Sequence, residues 1–287
     1  MNVILVSGKN ATPISVEATL KSGQVFHWDP LPDGSWVGLI GDHLARVSEK
    51  NNHLVIEQGA PEILHRYFAL DHPLEQIYAA FPKDVLSQES LALCYGLRIL
   101  RQPQWECLAT FITSSMKQVA HIRSMSLAIR NHLGTPVEGS PHPAYPSFQR
   151  LARSDEKTLL DCGLGYRAAN LLQTARILAD GSIDLEAIQK RSTPELRATL
   201  MALPGVGVKV ANCVLLFAYD RLDAVPIDVW IHRILIALRK GRDGTPTQLA
   251  NYARRRLGPY AGYVQQYLFH RARTEKKKPR DSAKATA

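Results

Sequence analysis

The sequence predicts an α+β fold, an N-terminal antiparallel β-sheet domain followed by a two-lobed helical module with a helix-hairpin-helix motif. Three observations predict it. Residues 2–58 alternate short runs of Val, Ile, Leu and Trp with turn residues. From Pro61 onward apolar side chains recur at helical spacing, first at Ile63, Leu64, Tyr67 and Phe68. Leu203-Pro204-Gly205-Val206-Gly207 then separates two helical patterns with a proline and two glycines.

Taken in order, strands are expected at 2–6, 14–20, 24–28, 36–40, 43–48 and 53–58, with turns at 30–34 and 50–52. Helical patterns follow at 62–70, 88–100, 104–133, 146–153, 155–162 and 165–180. Residues 135–146 carry four prolines and are expected to form a loop. Further helices fit 183–190, 194–203, 208–219, 229–240, 246–256 and 259–273. The expected division is a sheet domain with connecting helices over 1–94, a helical module over 95–273 and a disordered basic tail over 274–287.

Composition narrows the class. The chain has 287 residues, 45% apolar and 21% charged, ordinary for a globular protein with its own core. Its four cysteines are widely spaced with no CxxC, which excludes the common zinc and redox motifs. The first residues lack a basic region ahead of an apolar run, and no apolar stretch has the ~20 residues of a membrane span, so no membrane and a cytoplasmic location are expected. Residues 229–287 hold fourteen Lys and Arg against three acidic residues, whereas the first 228 hold 21 against 23. Positive charge gathered in one part of a chain suits a polyanion, most often nucleic acid.

The chemistry is concentrated in residues 193–238. Thr193-Pro194-Glu195 starts a helix, with a capping hydroxyl and a proline in the first turn. After the Gly205/Gly207 hairpin a second helix opens at Val208, and its first N–H groups can hold a phosphate without a side-chain charge. Lys209 sits in that first turn, where the helix dipole disfavours a cation, and a neutral amine is a nucleophile. Cys213, four residues on, shares its face; a thiol beside an amine can ionise and pair with it, or pack in the core. Nineteen residues after Lys209 comes Asp228, which can cap the next helix and face a developing positive charge.

Leu203–Lys209 followed by Val225-Pro226-Ile227-Asp228 resembles the helix-hairpin-helix, Gly/Pro…Asp superfamily of DNA glycosylases, and within it the 8-oxoguanine DNA glycosylase/AP lyase family. Ser22–Trp28, Arg66–Asp71, Phe111–Ser115, Gly163–Ala168 and Tyr260–Tyr263 resemble that family in the same order, so the likeness covers residues 15–272. It implies a bifunctional enzyme that flips the damaged nucleotide out of double-stranded DNA. Lys209 would attack the sugar C1′, form a Schiff base and nick by β-elimination; Asp228 would stabilise the cationic sugar. Gly23 would accept from the N7–H that 8-oxoguanine has and guanine lacks. Cys213 and Phe269 would sandwich the base, with Phe217 in the same pocket, and Gln265 would read its Watson–Crick edge. Gly205, Gly207 and Val208 would meet phosphate. Met116 and Tyr166 would wedge the duplex.

The pattern also departs from the family. Met116-Lys117-Gln118 replaces an asparagine run, His121 stands where an arginine reads the opposite cytosine, and Arg167 keeps a second such arginine. Trp230 replaces a histidine. These changes imply relaxed opposite-base preference. No cofactor is expected, apart from a structural metal ion that the hairpin carbonyls could hold; the partner is DNA containing oxidised guanine, met by a monomer at the nucleoid if the cell is bacterial. A non-catalytic DNA-binding protein built on the same hairpin is the alternative. Iron–sulfur relatives are disfavoured because no cysteine follows Cys213.

Overall fold

A computed structural model describes residues 4–6 and 13–277. Five strands form one antiparallel sheet in the order β1-β5-β4-β3-β2: β1 (Ile4–Val6), β2 (Asp29–Pro30), β3 (Trp36–Ile40), β4 (His43–Lys50) and β5 (His53–Gln58). Both central hairpins are two-residue turns. Asn51 and Asn52 have φ of 52° and 61°, the left-handed pair that matches strand twist. The three longest strands agree with the alternation in sequence. Two expected strands do not form. Residues 16–21 make a helix, α1 (Val16–Lys21), because Ser15 caps it and Val16 N–H reaches the Glu49 carboxylate at 2.9 Å. Residues 24–28 run as irregular chain, held by the wholly buried Gln24 side chain, which bonds the Thr19 and Arg98 carbonyls and the Leu100 N–H.

Helices α2 (Pro61–Tyr67), α3 (Leu74–Ala79) and α4 (Val85–Leu93) lead from the sheet. The helix expected over 88–100 stops at Leu93. Gly96 (φ 83°) packs its backbone so closely on Ser15 N that a Cβ would lie 2.6 Å away. The 104–133 pattern divides at a left-handed Met116 (φ 58°) into α5 (Gln104–Thr113) and α6 (Val119–Leu133). Then come α7 (Phe148–Ala152), α8 (Glu156–Asp161), α9 (Arg167–Ala179), α10 (Thr193–Met201), α11 (Val208–Phe217), α12 (Val229–Leu238), α13 (Pro246–Leu257) and α14 (Ala261–Lys277). The cap of α10 is Ser192 rather than Thr193; its N–H and hydroxyl both donate to Glu195. Of the expected tail, residues 274–277 continue α14, and 278–287, like residues 2–3 of the first expected strand, lie outside the described residues.

Two apolar clusters result. One joins the sheet to α2 through Trp28, Trp36, Val47, Tyr67 and Phe68, with the Trp28 indole donating to the Tyr67 hydroxyl at 3.1 Å. The larger one wraps α5, α9, α10, α11 and α14 around Leu108, Leu171, Val214, Leu215 and Val264. Among the described residues no helix is long and apolar enough to cross a membrane.

Candidate active site

α10, the hairpin and α11 form the expected reversal. Gly205 carries it with φ 78°, and a Cβ there would meet Asn170 at 2.9 Å. Gly207, extended and exposed, caps α11 with its backbone alone. Val206 is buried between them, while Gly205, Gly207 and half-buried Val208 lie outward, as a phosphate contact requires. Pro204 and Leu203 carbonyls already accept from Thr174 Oγ1 and Val206 N–H. A cation at the hairpin would share these oxygens, and no chemistry below depends on it.

Lys209 leaves the first turn of α11 half-buried. Its Nζ donates to Ser114 Oγ at 3.0 Å and sits 5.4 Å from the Phe111 ring centroid. Ser114 ends α5 and passes its own proton donor to the Phe111 carbonyl at 2.7 Å. Asp228 caps α12 by accepting from Trp230 N at 3.0 Å and Ile231 N at 2.9 Å. Burial pushes its carboxyl above the usual range, against those N–H donors and the positive charges of Lys209 and Arg273. Buried Asn212 fixes the two helices relative to one another: its amide donates to Val225 O at 3.0 Å, three residues before Asp228. Ser114 and Asn212 carry no spacing signal in the sequence, though Ser114 lies within a motif that does.

The pocket walls come from both ends of the chain. Gly262 lets α14 lie against the segment after α11; its N–H donates to Leu222 O at 2.8 Å, and a Cβ would stand 2.4 Å from Leu216. Gln265 and Phe269 follow on the same helix, α14. Gln265 is 3% exposed, and its Oε1 accepts no hydrogen bond from the protein. Such an orphan costs about 1–3 kcal/mol unless a ligand supplies a donor. Gly23 (φ 84°) faces Phe269 from the other side; its Cβ would stand 3.2 Å from the Phe269 ring.

One expected role is revised. Burial pushes the Cys213 thiol up to about 11, with Lys209 opposing, so it is a neutral apolar wall and not a thiolate partner of the amine. Phe217 is stacked on Phe111 at 5.5 Å and 16°. Arg167 is 5% exposed; its Nε donates to Ser115 O at 2.9 Å, Nη2 to the same oxygen, and Nη1 to Leu164 O at 3.2 Å. It braces the tip that carries Met116, which is 90% exposed, and its guanidinium packs 4.2 Å from the ring centroid of exposed Tyr166. His121 lies exposed in the first turns of α6.

Known proteins resemble this chain in sequence and fold. The sequence profile of the 8-oxoguanine DNA glycosylase N-terminal domain matches residues 6–108. A probable N-glycosylase/DNA lyase of Methanothermobacter thermautotrophicus is 32% identical over 234 residues, covering 74% of each chain. The structure of MBOgg1 with a low-affinity DNA ligand superposes with a TM-score of 0.89 at 31% identity, covering 96% of this chain and 100% of that one. The 8-oxoguanine glycosylase/lyase of Clostridium acetobutylicum, bound to double-stranded DNA with cytosine opposite 8-oxoguanine, gives 0.88 at 26% identity, covering 95% and 98%. With its sheet, its hairpin and a lysine and aspartate at the starts of adjoining helices, the chain belongs to the 8-oxoguanine DNA glycosylase family of N-glycosylase/DNA lyases.

Proposed function

We propose that this chain excises 8-oxoguanine from double-stranded DNA and then cuts the strand at the emptied sugar. The observation that carries the reading is the approach of Lys209 and Asp228 at the starts of adjoining helices, together with a buried Gln265 whose Oε1 accepts no hydrogen bond from the described residues. The flipped base lies between Cys213 and Phe269. Its N7–H donates to the Gly23 carbonyl, and its Watson–Crick edge donates to Gln265 Oε1. Guanine, with a lone pair at N7, would set acceptor against acceptor.

Lys209 reacts as the free amine. Its Nζ bonds to C1′ as the C1′–N9 bond breaks, and the electron pair leaves with the purine. Opening of the C1′–O4′ bond, with a proton taken up at O4′, yields the Schiff base. Loss of a C2′ proton then expels the 3′ phosphate. Asp228, held by two backbone donors, faces the positive charge that develops on the sugar. Met116 and Tyr166 enter the duplex as a paired apolar wedge. The chain acts as a monomer in the cytoplasm, at the nucleoid if the cell is bacterial.

Borohydride added to enzyme and an 8-oxoguanine duplex should trap a covalent adduct. Lys209→Gln should abolish it and slow excision by about 10⁴-fold or more. An adduct that survives this substitution would overturn the mechanism, and full loss separates the enzyme from a DNA-binding protein of the same shape. Because Met116-Lys117-Gln118 replaces the asparagine run and His121 replaces one cytosine-reading arginine, excision opposite C, A, G and T should differ little. A preference for C above about 100-fold, some 2.7 kcal/mol, would refute that.

A further inference from the structure

Arg273 reaches the corner of the pocket where Gly23 and Phe269 meet, yet it belongs to none of the motifs above. It lies one helical turn beyond Phe269 on α14. Its Nη1 donates to Ser22 O at 3.2 Å, and the guanidinium carbon is 5.1 Å from the Phe269 ring centroid. The same Nη1 stands 2.7 Å from the point where a Cβ on Gly23 would be, so the bare glycine is what admits it. Asp228 faces it and favours its charge, against the burial that disfavours it.

We propose that Arg273 is a specificity-determining residue of the base pocket, donating to the carbonyl oxygen that an oxidised purine carries beside its N7–H. The inference rests on the reading of Gly23 and the flipped base given above. In that reading the Gly23 carbonyl is an acceptor, and the guanidinium beside it is a donor. An acceptor next to a donor complements an N–H next to a C=O. That pair occurs at N7 and C8 of 8-oxoguanine and in the formamide of guanine whose imidazole ring has been opened. Guanine mismatches both groups, with a lone pair at N7 and a C–H at C8. The guanidinium has five N–H groups and gives Ser22 one. Ser22 O also accepts from Gln266 Nε2 at 3.1 Å, so it keeps a partner when Arg273 turns to the base. Packing over Phe269 holds the guanidinium plane against the ring that stacks on the purine.

The test compares two substrates on the full chain under single turnover: a duplex with 8-oxoguanine, and the same duplex with an abasic site, which has no base to read. Loss of the charge facing Asp228 alters both reactions, so the readout is the ratio of excision to abasic nicking. Arg273→Leu should lower that ratio by about 30-fold or more, the scale expected when a site loses a charged donor to substrate. Arg273→Lys should restore it to within about fivefold of wild type, short of full recovery because the ammonium lacks the planar fork. A ratio within about twofold of wild type in Arg273→Leu, including the case where both reactions fall together, overturns the inference. Wild-type chain that nicks abasic DNA but leaves 8-oxoguanine in place overturns the substrate reading as well, which distinguishes the two failures.

Discussion

Two buried polar clusters in this molecule treat charge in opposite ways. Where the sheet meets the helices, Glu106 pairs with Arg130, and His27 lies 3.1 Å from the same carboxylate oxygen. Arg130 also donates to Pro143 O at 3.1 Å and packs on Tyr145. Burial keeps His27 neutral, and here one acid answers one base. In the active site Asp228 faces both Lys209 and Arg273, but among the described residues none of the three forms an ion pair within 4 Å. Each is held instead by neutral groups: a serine hydroxyl, two backbone N–H groups and a backbone carbonyl. A paired charge stabilises its partner. A charge held by neutral dipoles still has most of its field to act on a substrate.

Substitutions should separate the two regimes. The largest expected effect lies in the paired cluster. Glu106→Ala leaves Arg130 buried without its counter-ion and should cost about 3–5 kcal/mol of stability in denaturant titration, with the excision rate per folded molecule nearly unchanged. A rate loss matching the stability loss would show that the clusters are coupled. In the site the pattern should reverse. Asp228→Asn still caps α12, so stability should hold within about 1 kcal/mol, while excision should fall by about 10²–10³-fold. The same residue sets a pH limit. Only its carboxylate stabilises the sugar cation, and burial raises its pKa. Excision should therefore fall on acidification at a pH above the ordinary aspartate range, and a profile flat down to that range would contradict the assignment. Ser114→Ala should have the smallest effect, about tenfold on the trapping rate with little change in DNA affinity, because it frees the amine without removing it.

What the sequence discloses follows the same line. The hairpin, Lys209 and Asp228 are legible because each depends on local chain: a turn needing φ above zero, a first helical turn, a cap. The three long strands are legible by alternation. The segment Val16–Lys21 is not, since its β-branched residues suit a strand and only Ser15 and Glu49 tip it to helix. The stop after Leu93 depends on Gly96 meeting Ser15, a contact spanning most of the first hundred residues. Arg167 shows the same limit at the site. Its motif position suggests a base-reading arginine, and only the fold reveals its bond to the Ser115 carbonyl. Arg273 has no spacing rule at all.

The oxygen of Ser22 receives donors from Gln266 and Arg273, 244 and 251 positions further along the chain. The lesion-recognising chamber is thus among the last parts of the molecule that synthesis can complete. A nascent polypeptide released from the ribosome only as far as residue 258 would already own the lysine and its hairpin, but not α14 and the two side chains that reach back to Ser22.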